Sequence, residues 1–195
     1  MTQASQNKPN LEQLFSDLVS SQEQSAKKYS PTHLWNPEKS GDMDLVIDRE
    51  GRWIHEGREI KRSEIVKLFS TILKFEQGRY FLVTPVEKWQ IKVDIAPFFI
   101  TQARREIRGS QQAIMLTTST DNLIILGEKN PIRIDQSIEG ETIPLVKVRE
   151  NLMGLISRPV YYQLIDWCEA VSVPDGDNYL TLKSMGITFN LGQFD

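Results

Sequence analysis

Between residues 98 and 135 the chain is cut into short apolar runs that leave no room for a helix. The runs fall near 98–107, 112–119, 122–127 and 131–135, and Gly109-Ser110, Asp121-Asn122 and Asn130-Pro131 separate them. Short strands punctuated by turn pairs predict a meander, curved into an antiparallel sheet or part barrel. Just upstream, Trp89, Ile91, Val93 and Ile95 alternate with Gln90, Lys92 and Asp94, the period of a half-buried strand. Residues 79–86 form a further strand, with Pro85 marking an edge, bulge or turn before the next.

Helices enter at three places. Leu11, Leu14, Phe15, Leu18 and Val19 share one face of a helix over about 10–26. Ile65, Val66, Leu68, Phe69, Ile72 and Leu73 mark another over about 62–73. A third starts at Pro159, a favoured first helical position, with Tyr161, Leu164, Ile165, Cys168 and Val171 as its stripe. Residues 44–48 and 52–56 flank Glu50-Gly51 as a hairpin, and residues 29–42 read as a long loop. Strands at 144–149, 152–156, 178–183 and 187–191 complete an α+β chain.

A shift of one hundred residues brings like against like. Leu45-Val46 meets Leu145-Val146, Arg49-Glu50 meets Arg149-Glu150, and Arg58 meets Arg158. The order strand, strand, helix, strand, strand repeats with them. The expected layout is an N-terminal helix in 1–27, a first α+β domain at 28–95, and a second at 96–195, the two built on this duplicated motif. Ala96-Pro97 marks the boundary.

Composition narrows the class of partner. The balance of 23 Lys and Arg against 26 Asp and Glu gives a net charge of −3, so no basic excess advertises duplex nucleic acid or an anionic membrane. Cys168 is the one cysteine, which excludes an internal disulfide. The start, MTQASQNKPN, lacks the apolar core of a signal peptide, and no apolar run approaches the ~20 residues that span a bilayer. The expectation is a soluble, cytoplasmic protein with no membrane insertion.

Chemistry-bearing side chains gather in a few places. His33, Trp35, Asn36, Asp42 and Asp44 lie within twelve residues. Imidazole and carboxylates suit a divalent ion or acid–base work, but no ligand-spaced His pair supports a metal, and turn contacts with a core indole explain the group equally. Thr84, Glu87, Lys88 and Trp89 follow, either as a hairpin tip or as a lysine for a phosphate beside an indole for a base. Arg58, Lys61 and Arg62 precede one helix and Arg158 another, where free N–H groups favour anions. No phosphate-binding glycine loop, dinucleotide fingerprint or nucleophile elbow occurs. Cys168, on an apolar stripe, reads as a buried structural thiol.

The ordered string HLWNP-x3-GD-x-D, G-x-W-x-H-x-G-x-x-I-x-R (Gly51 to Arg62), LVTPVEKW (Leu82–Trp89) and D-x-APF (Asp94–Phe98) resembles the bacterial family called Domain of Unknown Function 1285. The resemblance continues through Asn130-Pro131-Ile132-Arg133 and Val160-Tyr161-Tyr162, over about residues 28–175. It implies two α+β domains on a repeated motif, the second superficially similar to a pleckstrin-homology fold. It also implies a nucleotide-like ligand at the domain interface and a role in signalling, without catalytic residues or a cofactor. Family members carry Cys-Gly-Asp where this chain has Ser40-Gly41-Asp42, so any role of that thiol is absent.

The reading that follows is a ligand-sensing or regulatory protein. His33, Trp35 and Trp89 would offer aromatic surface, Arg62, Lys88 and Arg149 would meet anionic groups, and Asp42 and Asp44 would accept from ribose or base. Asn36, Thr84, Glu87 and Tyr161 complete the candidate set. One alternative is a module that binds another protein through an exposed strand edge. The other is a hydrolase or transferase built on Asp42, Asp44 and Glu87 with His33, which requires those groups to converge.

Overall fold

Period-two alternation makes strands of the segments it marks, and the chain folds as two α+β units. The computed structural model describes residues 14, 30–109, 111–172 and 178–194. Of the helix expected over 10–26, only Leu14 falls within the described residues; it is helical and buried. One unit runs to Asp48 and resumes over Arg52–Asp94, and the other takes Arg49–Gly51 and continues from Ile95.

In the first unit a 3₁₀ turn, Thr32–Leu34, precedes β1 (Lys39–Ile47). Then follow β2 (Trp53–His55), β3 (Arg58–Glu59), α1 (Ser63–Thr71), β4 (Leu73–Glu76), β5 (Arg79–Val83) and β6 (Glu87–Val93). The sheet order is β3-β2-β1-β6-β5-β4. Every neighbour pair is antiparallel except β1 and β6, which run parallel from Lys39↔Glu87 to Ile47↔Val93. One face buries Leu45, Ile47, Trp53, Leu82, Trp89 and Ile91. Phe69 of α1 packs its ring 6.3 Å from that of Trp53. Burying a large apolar side chain of this kind contributes about 1.5–3 kcal/mol.

The second unit holds β7 (Phe98–Arg108), β8 (Gln111–Thr118), β9 (Leu123–Ile125), β10 (Ile132–Gln136), β11 (Thr142–Arg149) and β12 (Leu152–Ile156). They form a sheet ordered β10-β11-β12-β7-β8-β9, with β12 and β7 parallel and the rest antiparallel. Register shifts at Ile100/Gln102 and Lys147/Arg149 bend these strands, and the sheet curls into half a barrel. α2 (Arg158–Asp166) follows, then a separate antiparallel sheet of β13 (Glu169–Ser172), β14 (Asn178–Ser184) and β15 (Ile187–Phe194). Buried Ser184 ties this sheet to β8: it accepts from the Ile114 amide at 2.9 Å and donates to the Leu126 carbonyl at 2.7 Å.

The duplicated motif is present in both units. β1 pairs with β2 through Leu45↔His55, Val46↔Ile54 and Ile47↔Trp53. β11 pairs with β12 through Leu145↔Leu155, Val146↔Gly154 and Lys147↔Met153, the same register one hundred residues on. Each hairpin leads to a nine-residue helix and then a three-strand meander, β4-β5-β6 or β13-β14-β15. The copies differ in closure. In the first, the meander joins the hairpin's sheet through β6, beside β1; in the second it stands apart, with β10 beside β11 and β7 beside β12.

Two helices end earlier than their apolar periodicity predicts. α1 stops at Thr71, where the Ser70 and Thr71 hydroxyls turn back to the carbonyls of Lys67 and Leu68, both at 2.7 Å. Leu73 then starts β4 opposite Leu82. α2 stops at Asp166, so Cys168 lies in the link beyond it and Val171 in β13, opposite Tyr179. Lys39–Asp42, expected as loop, are strand because β6 supplies a parallel partner that local sequence does not reveal.

Gly51 has φ +76°, and an added Cβ would lie 2.5 Å from Phe99 Cβ. Gly57 has nearly the same conformation, φ +74°, with nothing within 4 Å of that position. Gly51→Ala therefore meets both backbone strain and a clash with a strand, and should cost roughly 2 kcal/mol or more. Gly57→Ala meets strain alone. In urea denaturation the Gly51 variant should lose clearly more stability than the Gly57 variant; equal losses would show that the Phe99 contact is easily relieved.

Candidate functional site

In the first unit the candidate residues are placed by β1, the 3₁₀ turn and the β5–β6 turn. His33 and Asn36 are exposed, and so are Asp42 and Asp44 on β1. The Asp44 carbonyl accepts from His55 Nδ1 at 2.8 Å, which places the proton on that nitrogen. Half-buried Trp35 offers its carbonyl to Lys74 Nζ at 3.3 Å. Glu87 pairs with Lys39 Nζ at 2.8 Å. Among the described residues, no group of three or more His, Cys, Asp or Glu could hold a metal ion. Arg62, exposed, is the N-cap position of α1.

Thr84 closes the β5–β6 turn. Its hydroxyl accepts from the amides of Val86 at 3.3 Å and Glu87 at 3.0 Å, and its own amide donates to the Glu87 carbonyl at 2.8 Å. Strand β6 thus begins at Glu87, and Lys88 lies on the sheet rather than at a solvated tip. The Lys88 ammonium pairs with Glu76 and lies 4.2 Å from the Phe81 ring centroid, and Lys74 reaches the same carboxylate at 3.3 Å. The two lysines hold the Glu76 carboxyl below its ordinary range, the Lys88 hydrogen bond most strongly. Trp89 is 3% exposed and belongs to the core. Gly41 on β1 makes room for it: a Cβ there would lie 2.7 Å from the indole. Among the described residues, buried Trp89 Nε1 has no hydrogen-bond partner.

The second unit contains a cavity of about 590 Å³, within the range that small-molecule sites occupy. Several short pieces of chain meet there: Arg49-Glu50, Phe99 of β7, Glu141 at the β10–β11 turn, the end of β12, and Arg158, Tyr161 and Tyr162 of α2. One carboxylate oxygen, Glu141 Oε1, accepts from Arg49 at 2.5 Å and from Arg158 at 3.0 Å. Those bonds hold the Glu141 carboxyl below its usual range, Arg49 contributing most, and raise Arg49 in return. The carboxylate therefore stays charged across the neutral range. Exposed pairs of this kind contribute little to stability, so the trio is better understood as an arrangement of charge than as a fold anchor.

The aromatic wall is fixed from behind. Tyr161 donates its hydroxyl to the Leu191 carbonyl at 2.6 Å, and burial pushes its pKa up, keeping it a neutral donor. Tyr162 is 64% exposed, its ring 6.4 Å from that of Tyr161. Of the residues singled out from sequence as the candidate set, Tyr161 alone lines this cavity. Arg149 instead sets its guanidinium 5.3 Å from the Phe98 ring centroid. Arg49 and Glu141 were missed as site residues. Arg49 stood out only as a letter of the repeat, and Glu141 looks like any turn carboxylate.

Two family models cover the chain: the N-terminal domain of DUF1285 matches residues 30–96, and the C-terminal domain of DUF1285 matches residues 97–191. The chain belongs to the DUF1285 family. A crystal structure of a DUF1285 family protein from Silicibacter pomeroyi DSS-3 is 41% identical, with a TM-score of 0.77 over 90% of this chain and 94% of that one. A DUF1285 family protein from Shewanella baltica OS155 is 26% identical, with a TM-score of 0.51 over 64% of this chain and 91% of that one. No curated protein matches. Among the described residues of this DUF1285 chain, no helix is long and apolar enough to cross a membrane.

Cys168, the chain's single thiol, donates to the Leu164 carbonyl at 3.3 Å, and burial pushes its pKa up to about 11. At pH 8 the thiolate fraction is then roughly one in a thousand, against about one in four for a free thiol. Iodoacetamide should label the folded DUF1285 protein on the order of 100-fold more slowly than the same chain in urea. Equal rates would mean the thiol is open and reactive.

Proposed function

We propose that this DUF1285 protein is a non-enzymatic ligand-sensing or regulatory protein whose C-terminal unit binds a nucleotide-like anion, with a role in signal transduction. The observation that carries the reading is the 590 Å³ cavity, with Arg49 and Arg158 converging on one point beside Phe99, Tyr161 and Tyr162. Arginine forks suit phosphate, and aromatic faces suit a base. A water-accessible cavity that combines the two is the usual form of a small-molecule site.

The same geometry argues against a chemical step in the cavity. Glu141 shares one oxygen between two guanidiniums and is held in its charged form. A carboxylate held in its charged form by two guanidiniums has no proton to donate near neutrality. Tyr161, fixed to Leu191 and shifted upward, has no accessible phenolate at neutral pH.

Thermal unfolding against a panel of nucleotides, cyclic dinucleotides and divalent metals tests the reading. A ligand that binds only the folded protein, at 100 times its Kd, adds about 2.7 kcal/mol and shifts the midpoint readably. A nucleotide-dependent shift that disappears in Arg158→Gln is expected. A flat panel, or a shift that Arg158→Gln leaves intact, overturns the assignment of this cavity.

A further inference from the structure

The oxygen between Arg49 and Arg158 already occupies the place a ligand anion would take. Glu141 Oε1 lies 2.5 Å from one guanidinium nitrogen and 3.0 Å from the other. We propose that Glu141 is a tethered competitor for the anion position of this cavity, setting a charge threshold that a terminal phosphomonoester dianion passes and a singly charged phosphodiester does not. The proposal rests on the ligand-binding reading above and adds the class of ligand and the residue that selects it.

Three observations support the exchange. The backbone of Glu141 is pinned at the β10–β11 turn: its amide donates to Ser137 Oγ at 3.0 Å, and its carbonyl accepts from the Ser137 amide at 2.8 Å. Leaving the arginines therefore requires only rotation of the Glu141 side chain, with the turn unmoved. That side chain is 31% exposed, so a solvated position lies open to it. Both arginines are well exposed, at 42% and 78%, so they can re-form around a new anion without leaving a buried charge alone.

Charge then decides which anion succeeds. Arg49 and Arg158 carry two positive charges, and Glu141 brings one negative charge to both. A monoanion that displaces Glu141 exchanges like for like and gains nothing from the pair. A phosphomonoester carries ≈ −1.5 to −2 near pH 7 and presents three oxygens, enough to serve both guanidinium forks. Glu50, also on the cavity wall, repels any anion, which raises the threshold further, although its exposed position screens the effect.

The test uses adenosine 5′-monophosphate and adenosine 3′,5′-cyclic monophosphate as probes, the same base and sugar with a monoester and a diester. Titration calorimetry at pH 7.5 compares the wild-type chain with Glu141→Gln, Glu141→Ala and Arg158→Gln, each checked for an unchanged melting profile. The wild type should bind the monoester at least tenfold more tightly than the diester. Both Glu141 variants should tighten the monoester by about tenfold and bring the diester into measurable range. Monoester binding that either Glu141 variant leaves unchanged or weakens overturns the competitor while the cavity reading survives. Equal wild-type affinity for the two probes overturns the charge threshold. Binding that Arg158→Gln leaves intact, or no binding in any form, overturns the inference together with the cavity reading beneath it.

Discussion

Each six-stranded sheet depends on a single parallel join. β1 meets β6 from Lys39↔Glu87 onward, and β12 meets β7 from Gly154↔Phe98. All other neighbours in both sheets are antiparallel, most of them joined by short turns. A parallel join closes a long loop of chain before any contact rewards it, so it is the costly step in each unit. Packing around the joins makes that step worthwhile. Gly41, on β1, faces Trp89, on β6, with no space for a Cβ. Gly154, on β12, faces Phe98 and Ile100 of β7 with its virtual Cβ 3.3 and 3.1 Å away. In both units a glycine beside the parallel join leaves room for side chains of the neighbouring strand.

The duplication copied a scaffold and not a site. The two hairpins share their register over three residue pairs, before the shift at Lys147/Arg149, because alternation fixes which face each residue takes and a slip of one would expose the core set. The arginines that also repeat have separated in role. Arg49 lies at the cavity and bonds Glu141, while Arg149 lies against Phe98. Arg58 sits on the two-residue strand β3, while Arg158 opens α2. Identical letters at equivalent positions share a backbone register, and the chemistry depends on what the neighbouring strands supply.

What could be read from the sequence follows from the range of the interactions. The Glu50-Gly51 hairpin, the meander after Phe98 and the existence of α1 and α2 were legible, since turn residues and periodicity act within a few residues. The helix ends were not. Ile72-Leu73 and Cys168 continue an apolar period that in the fold passes into the link or strand beyond each helix, and only β5 or β14 reveals the change. β13 is short and fully exposed, so it lacks the alternation that would announce it. The motif-rich segments proved to be rich in packing as well: Thr84 spends its hydroxyl on a turn and Trp89 its ring on the core. Arg158 stood out before its helix, but Arg49 and Glu141 did not: their contact spans 92 residues, and each taken alone resembles solvated surface.

The cavity combines a rigid frame with one adjustable group. Tyr161 is fixed through Leu191, the β10–β11 turn through Ser137, and the α2 N-terminus through the Tyr161 amide donating to the Ser157 carbonyl at 2.8 Å. Against that frame the Glu141 side chain is tied only by exposed ion pairs, which are weak and screened by salt. The charge balance of the cavity costs little stability, because Glu141 compensates both arginines. On the proposed reading, the carboxylate occupies the place that a ligand anion would take. Two free guanidiniums side by side would repel each other and attract small anions, and one carboxylate tethered between them offsets both effects.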